Sequence, residues 1–216
     1  MIDNYRHKGL RQKLVRELQQ KGIRATKVLS AINDIPRHYF LDKAFDTWAY
    51  KDLAFPIDSG QTISQPYTVA FQTQLLEVRN REKILEIGTG SGYQAAVLHH
   101  MGAKVYSIER QKQLFDKTSA FLNRIGYGRI RTLYGDGFAG APRFAPFDKI
   151  LITAAAPFFP QVLFDQLKVG GYMVIPEGAG EVQRMKRITK SLDGSPQEEL
   201  FGNFSFVPML TGINAA

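Results

Sequence analysis

The chain contains no cysteine among its 216 residues. That excludes a disulfide framework, a thiolate metal site and a cysteine nucleophile. Histidine is scarce as well: His7, His38, His99 and His100 are the four present. No His/Asp/Glu grouping has ligand spacing, and adjacent His99 and His100 on a predicted helix cannot share a face, so no metal is expected. No apolar run reaches the ~18 residues of a membrane span, and the opening residues 1–8 lack the apolar stretch of a signal peptide. A cytoplasmic protein with no membrane partner is the expectation. Acidic residues are in deficit, 20 against 28 lysines and arginines, which leaves a net charge of +8. The basic residues are scattered, and no RNP, KH or zinc-finger pattern accompanies them, so no stable nucleic-acid partner is expected.

What is present suffices for a packed core. With 44% apolar and 12% aromatic residues, the chain reads as one domain with a small appendage. Its organising stretch is Lys83-Ile84-Leu85-Glu86-Ile87-Gly88-Thr89-Gly90-Ser91-Gly92-Tyr93. Ile84, Leu85 and Ile87 predict a buried strand. Three glycines at alternate positions follow, and residues 93–100 read as a helix. Strand, glycine turn and helix start bring backbone N–H groups and a helix dipole to a ligand. The spacing is one residue short of the dinucleotide fingerprint G-x-G-x-x-G, and Glu86 sits within the strand end.

Before this stretch, residues 5–22 predict an amphipathic helix closed at Gly22, and a second helix runs from Thr26 to a stop at Pro36. A polar loop, residues 55–67, leads into a helix over 66–76. Ser64 stands where an N-cap would stand, so capping is one reading of it. After the glycine turn, strands are predicted at 105–109, 130–134, 147–153 and 172–176, with helices at 113–125 and 162–167 between them. Residues 182–189 and 204–207 predict a terminal antiparallel pair, and Asp193-Gly194 a turn. The alternation argues for a mostly parallel sheet with helices on both faces.

Two acids end strands beside the glycine turn. Glu109 lies 17 residues after Gly92, where a carboxylate accepts from ribose hydroxyls. Asp136, between Gly135 and Gly137, can accept from an adenine amino group; a plain Gly-Asp-Gly turn is the other reading.

Glu86-x-Gly88-x-Gly90-x-Gly92 resembles motif I of the class I S-adenosylmethionine-dependent methyltransferases. Gln61-Thr62-Ile63-Ser64-Gln65-Pro66 is similar to the signature loop of the protein-L-isoaspartate O-methyltransferases. The likeness continues through residues 85–94, Gly135-Asp136-Gly137, residues 147–157, residues 167–171 and Phe206-Val207-Pro208-Met209-Leu210. It covers nearly the whole chain in order. Two positions depart from the family's pattern: Asp58, where a small residue is expected, and Met209, which interrupts a Val-Pro-Leu ending.

The resemblance implies a doubly wound, seven-stranded, Rossmann-like methyltransferase sheet. Residues 1–60 would form a helical extension packed on the core, and residues 61–216 the methyltransferase domain. It implies S-adenosyl-L-methionine as cofactor, with Gln61, Thr62, Ile63, Glu86, Gly88, Thr89, Gly90, Ser91, Gly92, Glu109, Asp136 and Gly137 around it. Methyl transfer to the α-carboxylate of L-isoaspartyl residues in damaged proteins is the implied reaction. The ester then collapses unaided to a succinimide. Ser64 would orient the substrate carboxylate, with Val207 and Pro208 bordering the peptide. A monomer is expected. A class I methyltransferase acting on RNA or a small molecule is the alternative, and a silent cofactor-binding module a further one.

Overall fold

In the computed structural model, which describes residues 2–215, chain order gives six α-helices and nine strands. Helices α1 (Tyr5–Gln20) and α2 (Thr26–Asp34) come first, then the two-residue strands β1 (Phe55–Pro56) and β2 (Thr62–Ile63) and helix α3 (Pro66–Leu76). Next are β3 (Lys83–Ile87), α4 (Tyr93–His100), β4 (Lys104–Glu109), α5 (Lys112–Arg124), β5 (Arg131–Tyr134) and β6 (Phe147–Ile152). The chain closes with α6 (Gln161–Asp165), β7 (Leu167–Glu177), β8 (Gln183–Lys190) and β9 (Pro196–Phe204). Among the described residues no helix is long and apolar enough to cross a membrane.

Seven strands form one sheet in the order β5-β4-β3-β6-β7-β8-β9. β3 to β7 are parallel, and β8 and β9 return antiparallel. The order reverses between β3 and β6, and such a switch point opens a crevice at the carboxyl ends of the strands. Strand pleating sorts the apolar residues onto two faces. Ile84, Val105, Leu151 and Val174 pack against α1 to α5. Leu85, Ile87, Ile150, Ile152 and Met173 pack instead with Leu163 and Phe164 of α6. The two faces are therefore covered very unequally, by five helices and by one.

Three boundaries differ from the sequence expectation. The sixth helix stops at Asp165, and Leu167 already belongs to β7. Gly170 and Gly171 lie inside that strand, where a Cβ on Gly171 would stand 2.7 Å from the Asp148 carbonyl. They let β7 slip its register against β6 between Phe147 and Lys149. The last strand is Pro196–Phe204, not 204–207. Gln183 Oε1 accepts the Phe206 N–H at 2.9 Å and turns the chain off the sheet. The loop predicted over 55–67 contains a small hairpin, Phe55 opposite Ile63.

Candidate active site

The turn after β3 is shaped by what surrounds it. Gly88 has φ +97, and a Cβ there would meet Thr153 Oγ1 at 2.6 Å. That hydroxyl donates to the carbonyls of Ile87 and Gly88, both at 2.9 Å, and so ties the end of β6 to the turn. Gly90 has φ +53, and its N–H donates to Glu109 Oε2 at 3.0 Å. Glu109 Oε1 accepts the Gln111 N–H at 3.0 Å, so this buried carboxylate holds the ends of β3 and β4 together.

These ends open into a solvent-accessible cleft. Gln61, Thr62, Ile63 and Ser64 form one wall, Gly88, Thr89, Gly90 and Ser91 the floor, and Glu109 and Gly137 one flank. Val207 and Pro208 close the opposite side. Val207 is held there because the Ala155 N–H donates to its carbonyl, while the Met209 N–H donates to Ala155 O, both at 2.8 Å.

Three residues expected at the cofactor lie off this lining. Glu86 is fully buried beneath the turn, and its register partner Ser107 donates to Oε2 at 2.5 Å. Thr89 Oγ1 lies 2.6 Å from Ser107 Oγ, so Glu86 reaches the cleft only through two hydroxyls. Burial pushes the Glu86 carboxyl up to about 8; the Ser107 bond opposes the rise and the charge of Glu109 adds to it. Gly92 instead starts α4 at φ +82, where a Cβ would stand 3.0 Å from Leu122 and Thr118; it lets α4 and α5 pack closely. Asp136 accepts from the Phe138 N–H at 2.9 Å and from the Gly212 N–H at 2.8 Å.

The capping reading of Ser64 is corrected. The N-cap of α3 is Gln65, without a side-chain bond, and the Tyr67 N–H donates to Asp52 Oδ1 at 2.7 Å. Asp52 does what Ser64 was placed to do, and Ser64 stands half-buried on the cleft wall.

The cleft also contains residues that sequence reasoning left off the site: Tyr93, Gln94, Arg110, Thr153, Ala154 and Met209. Thr153 and Ala154 were legible in principle, since they follow β6 at the reversal of strand order. In the sequence Met209 stands out only as a departure from a pattern. It is buried, and its Cε would lie 3.3 Å from a Cβ on Gly137. Asp58, the other departure, pairs with Lys117 and fastens the hairpin loop to α5.

Arg110 is the one cation on the lining, and its guanidinium donates to the carbonyls of Gly212 and Thr211. A cleft with a glycine floor, a strand-end carboxylate and no cluster of cations fits a nucleoside cofactor without a phosphate. Elsewhere, Asp3, His7 and His38 bring ligand atoms within 4.8 Å of one another. Arg11 holds both Asp3 oxygens, at 2.7 and 2.8 Å, so a cation there would face a guanidinium.

Sheet order, reversed final hairpin and glycine cleft together define a class I methyltransferase. A family model described as protein-L-isoaspartate(D-aspartate) O-methyltransferase matches residues 9–214, and the chain belongs to that family. Curated relatives named protein-L-isoaspartate O-methyltransferase include those of Christiangramia forsetii and Flavobacterium psychrophilum. Each is 54% identical over 214 residues, 99% of this chain and 100% of the relative. A solved protein-L-isoaspartate O-methyltransferase superposes with a TM-score of 0.82 at 28% identity, over 92% of this chain and 65% of that one. A Plasmodium falciparum structure assigned to the same activity, in complex with S-adenosyl-L-homocysteine, gives 0.80 at 22% identity, over 94% of this chain and 98% of that one.

Proposed function

We propose that the protein transfers a methyl group from S-adenosyl-L-methionine to the α-carboxylate of L-isoaspartyl residues in proteins, which starts their repair through a succinimide. One observation carries this: the Ser64 wall and the Val207-Pro208 edge share a single cleft with the Gly88–Gly90 floor and Glu109. Gly88, Thr89, Gly90 and Ser91 would hold the amino-acid end of the cofactor, and Glu109 the ribose, through the lone pairs that its two N–H donors leave free. Bound there, the cofactor supplies an electrophilic methyl group.

The chain's own residues then have modest work. A substrate carboxylate, with a pKa near 4, is already ionised at neutral pH and needs no strong base. The lining residues contain no histidine, and Glu109, the carboxylate among them, is committed to two N–H groups. Ser64 donates a hydrogen bond that fixes the direction of the substrate carboxylate, and orientation supplies most of the rate. Ile63, Val69, Ile87 and Met209 give the walls apolar surface that excludes water from the nucleophile.

The test is transfer of labelled methyl to a peptide with one L-isoaspartyl residue, against the same peptide with aspartate. Base-labile label on the first alone is expected. Ser64→Ala should lower kcat/KM by roughly 100-fold, with little change in cofactor binding, as expected of an orienting group. Binding of S-adenosyl-L-methionine without label on either peptide would turn attention to RNA or small-molecule acceptors.

A further inference from the structure

A second groove lies beside the cleft on the same two chain segments. Ser64 and Val207 line the cleft, whereas Gln65 and Ser205 line the groove. The groove therefore begins one residue from Ser64 and two from Val207, or about 4–7 Å along the backbone. Tyr67 and Phe71 from α3 and Phe204 from the end of β9 make it aromatic. The Phe204 ring lies 5.0 Å from that of Phe71 and 6.3 Å from that of Tyr67, nearly parallel to the latter. All three rings are only half-buried, and Val182 on the rim is 58% exposed. Tyr67 and Phe71 share a face of α3 because they are four residues apart. Only the fold brings Phe204 to them.

Apolar surface of this kind, next to a binding cleft, marks a contact site. An extended peptide presents alternate side chains to one side, about 6.6–7 Å apart, which matches the offset from Val207 to Ser205. Resting on the reaction proposed above, we infer that the groove is a specificity subsite for the substrate side chain two residues from the isoaspartyl residue, and that it takes an aromatic or large aliphatic group. Its energy comes from burying that side chain against Phe71, Phe204 and Val182. It touches no reacting atom, so it acts on KM rather than kcat.

Four isoaspartyl peptides test this, with Phe or Ser at the second residue before or after the modified position. On one of those sides Phe is expected to raise kcat/KM about tenfold over Ser, mainly through KM. Val182→Asp and Phe204→Ser should each abolish the preference and leave the rate on the Ser peptides unchanged. Val182 is exposed, so its variant keeps the test valid should Phe204→Ser fail to fold. Equal kcat/KM for Phe and Ser on both sides overturns the subsite, as does a preference that survives Val182→Asp. A missing preference together with a dimer that Val182→Asp dissociates also overturns it and assigns the groove to a second copy of the chain. Failure to methylate any isoaspartyl peptide is a different result: it overturns the reaction itself, and the subsite with it.

Discussion

Glu86 separates what a motif says from what a side chain does. The residue is legible in the sequence as the acid of a glycine-turn pattern, and the backbone around it forms the expected turn. Its side chain, however, belongs to the α4 side of a strand buried on both faces, where strand parity places it beside Ser107. A free-chain glutamate has a pKa of 4.5, and burial raises this one to about 8. Between those values the folded state holds a proton that the unfolded state has released. The native protein is thus expected to lose stability as pH rises from about 4.5 to about 8, by on the order of a few kcal/mol. Glu86→Gln removes this titration, so its denaturation midpoint should lose the fall that Glu86 causes over that interval and lie higher than the wild type's at pH 8.5. Urea unfolding of both proteins at pH 5 and pH 8.5 checks the sign. Asp52 shows the opposite case, a role with no local signal. It caps α3 from 15 residues away while its carbonyl accepts from Gln65 Nε2 at 3.0 Å. No window around Ser64 could reveal a cap supplied from so far. Asp52→Ala should cost about 1 kcal/mol. It should also lower kcat for isoaspartyl peptide, because the first turn of α3, three residues after Ser64, loses the side-chain bond that holds the Tyr67 N–H; calorimetry and the methylation assay measure the two effects.

At the scale of elements, the parallel strands and their helices were legible because each carries a buried apolar run or a 3.6-residue stripe. β9 was not. Its sequence, Pro-Gln-Glu-Glu-Leu-Phe-Gly-Asn-Phe, is exposed along most of its length and offers no alternation. It pairs because β8 presents Arg187 to Glu199 and Lys186 to Glu198, ion pairs across the strands that a hydrophobicity reading cannot detect. The residues beyond β9 then cross the cleft as a strap. Arg110 Nε donates to Gly212 O at 3.0 Å, the Gly212 N–H donates to Asp136, and the Lys112 N–H donates to Asn214 O at 2.9 Å. Arg110 and Asp136 follow the carboxyl ends of β4 and β5, and Lys112 opens α5 just beyond β4, where the nucleoside of the cofactor is proposed to sit. Removing residues 211–216 is expected to raise the KM for S-adenosyl-L-methionine roughly tenfold. The kcat at saturating cofactor should stay within about twofold, since Ser64, Val207 and the glycine floor are untouched. A fall in kcat with KM unchanged would place the strap's effect on the chemical step instead.

At the scale of the molecule, the question is whether residues 1–60 stand apart from the rest. Their side chains do not form a core of their own. Leu14, Leu18, Val28, Ile32 and Phe40 join one apolar cluster with Ala70, Val97, Leu98 and Ile84 of the sheet and its helices. Arg37, fully buried, lies with its guanidinium 5.0 Å from the ring of Tyr93, and Phe40 packs edge-on against that ring at 5.3 Å. Tyr93 opens α4 directly after the glycine turn, so the N-terminal layer braces the element that shapes the cleft floor. Burial draws the Arg37 guanidinium down to about 10. The N-terminal layer thus shares one apolar core with the sheet and its helices and cannot leave without exposing it. Cooperative unfolding of the whole chain is therefore expected. The single tryptophan, Trp48, reports on the N-terminal layer, with Lys51 Nζ 3.7 Å over its ring, while far-UV circular dichroism reports on the sheet and helices at large. In urea the two signals should share one midpoint, and residues 61–216 expressed alone should show no cooperative transition. A Trp48 transition at lower urea than the loss of circular dichroism would instead mean that the layer detaches first and that the cleft floor survives without its brace.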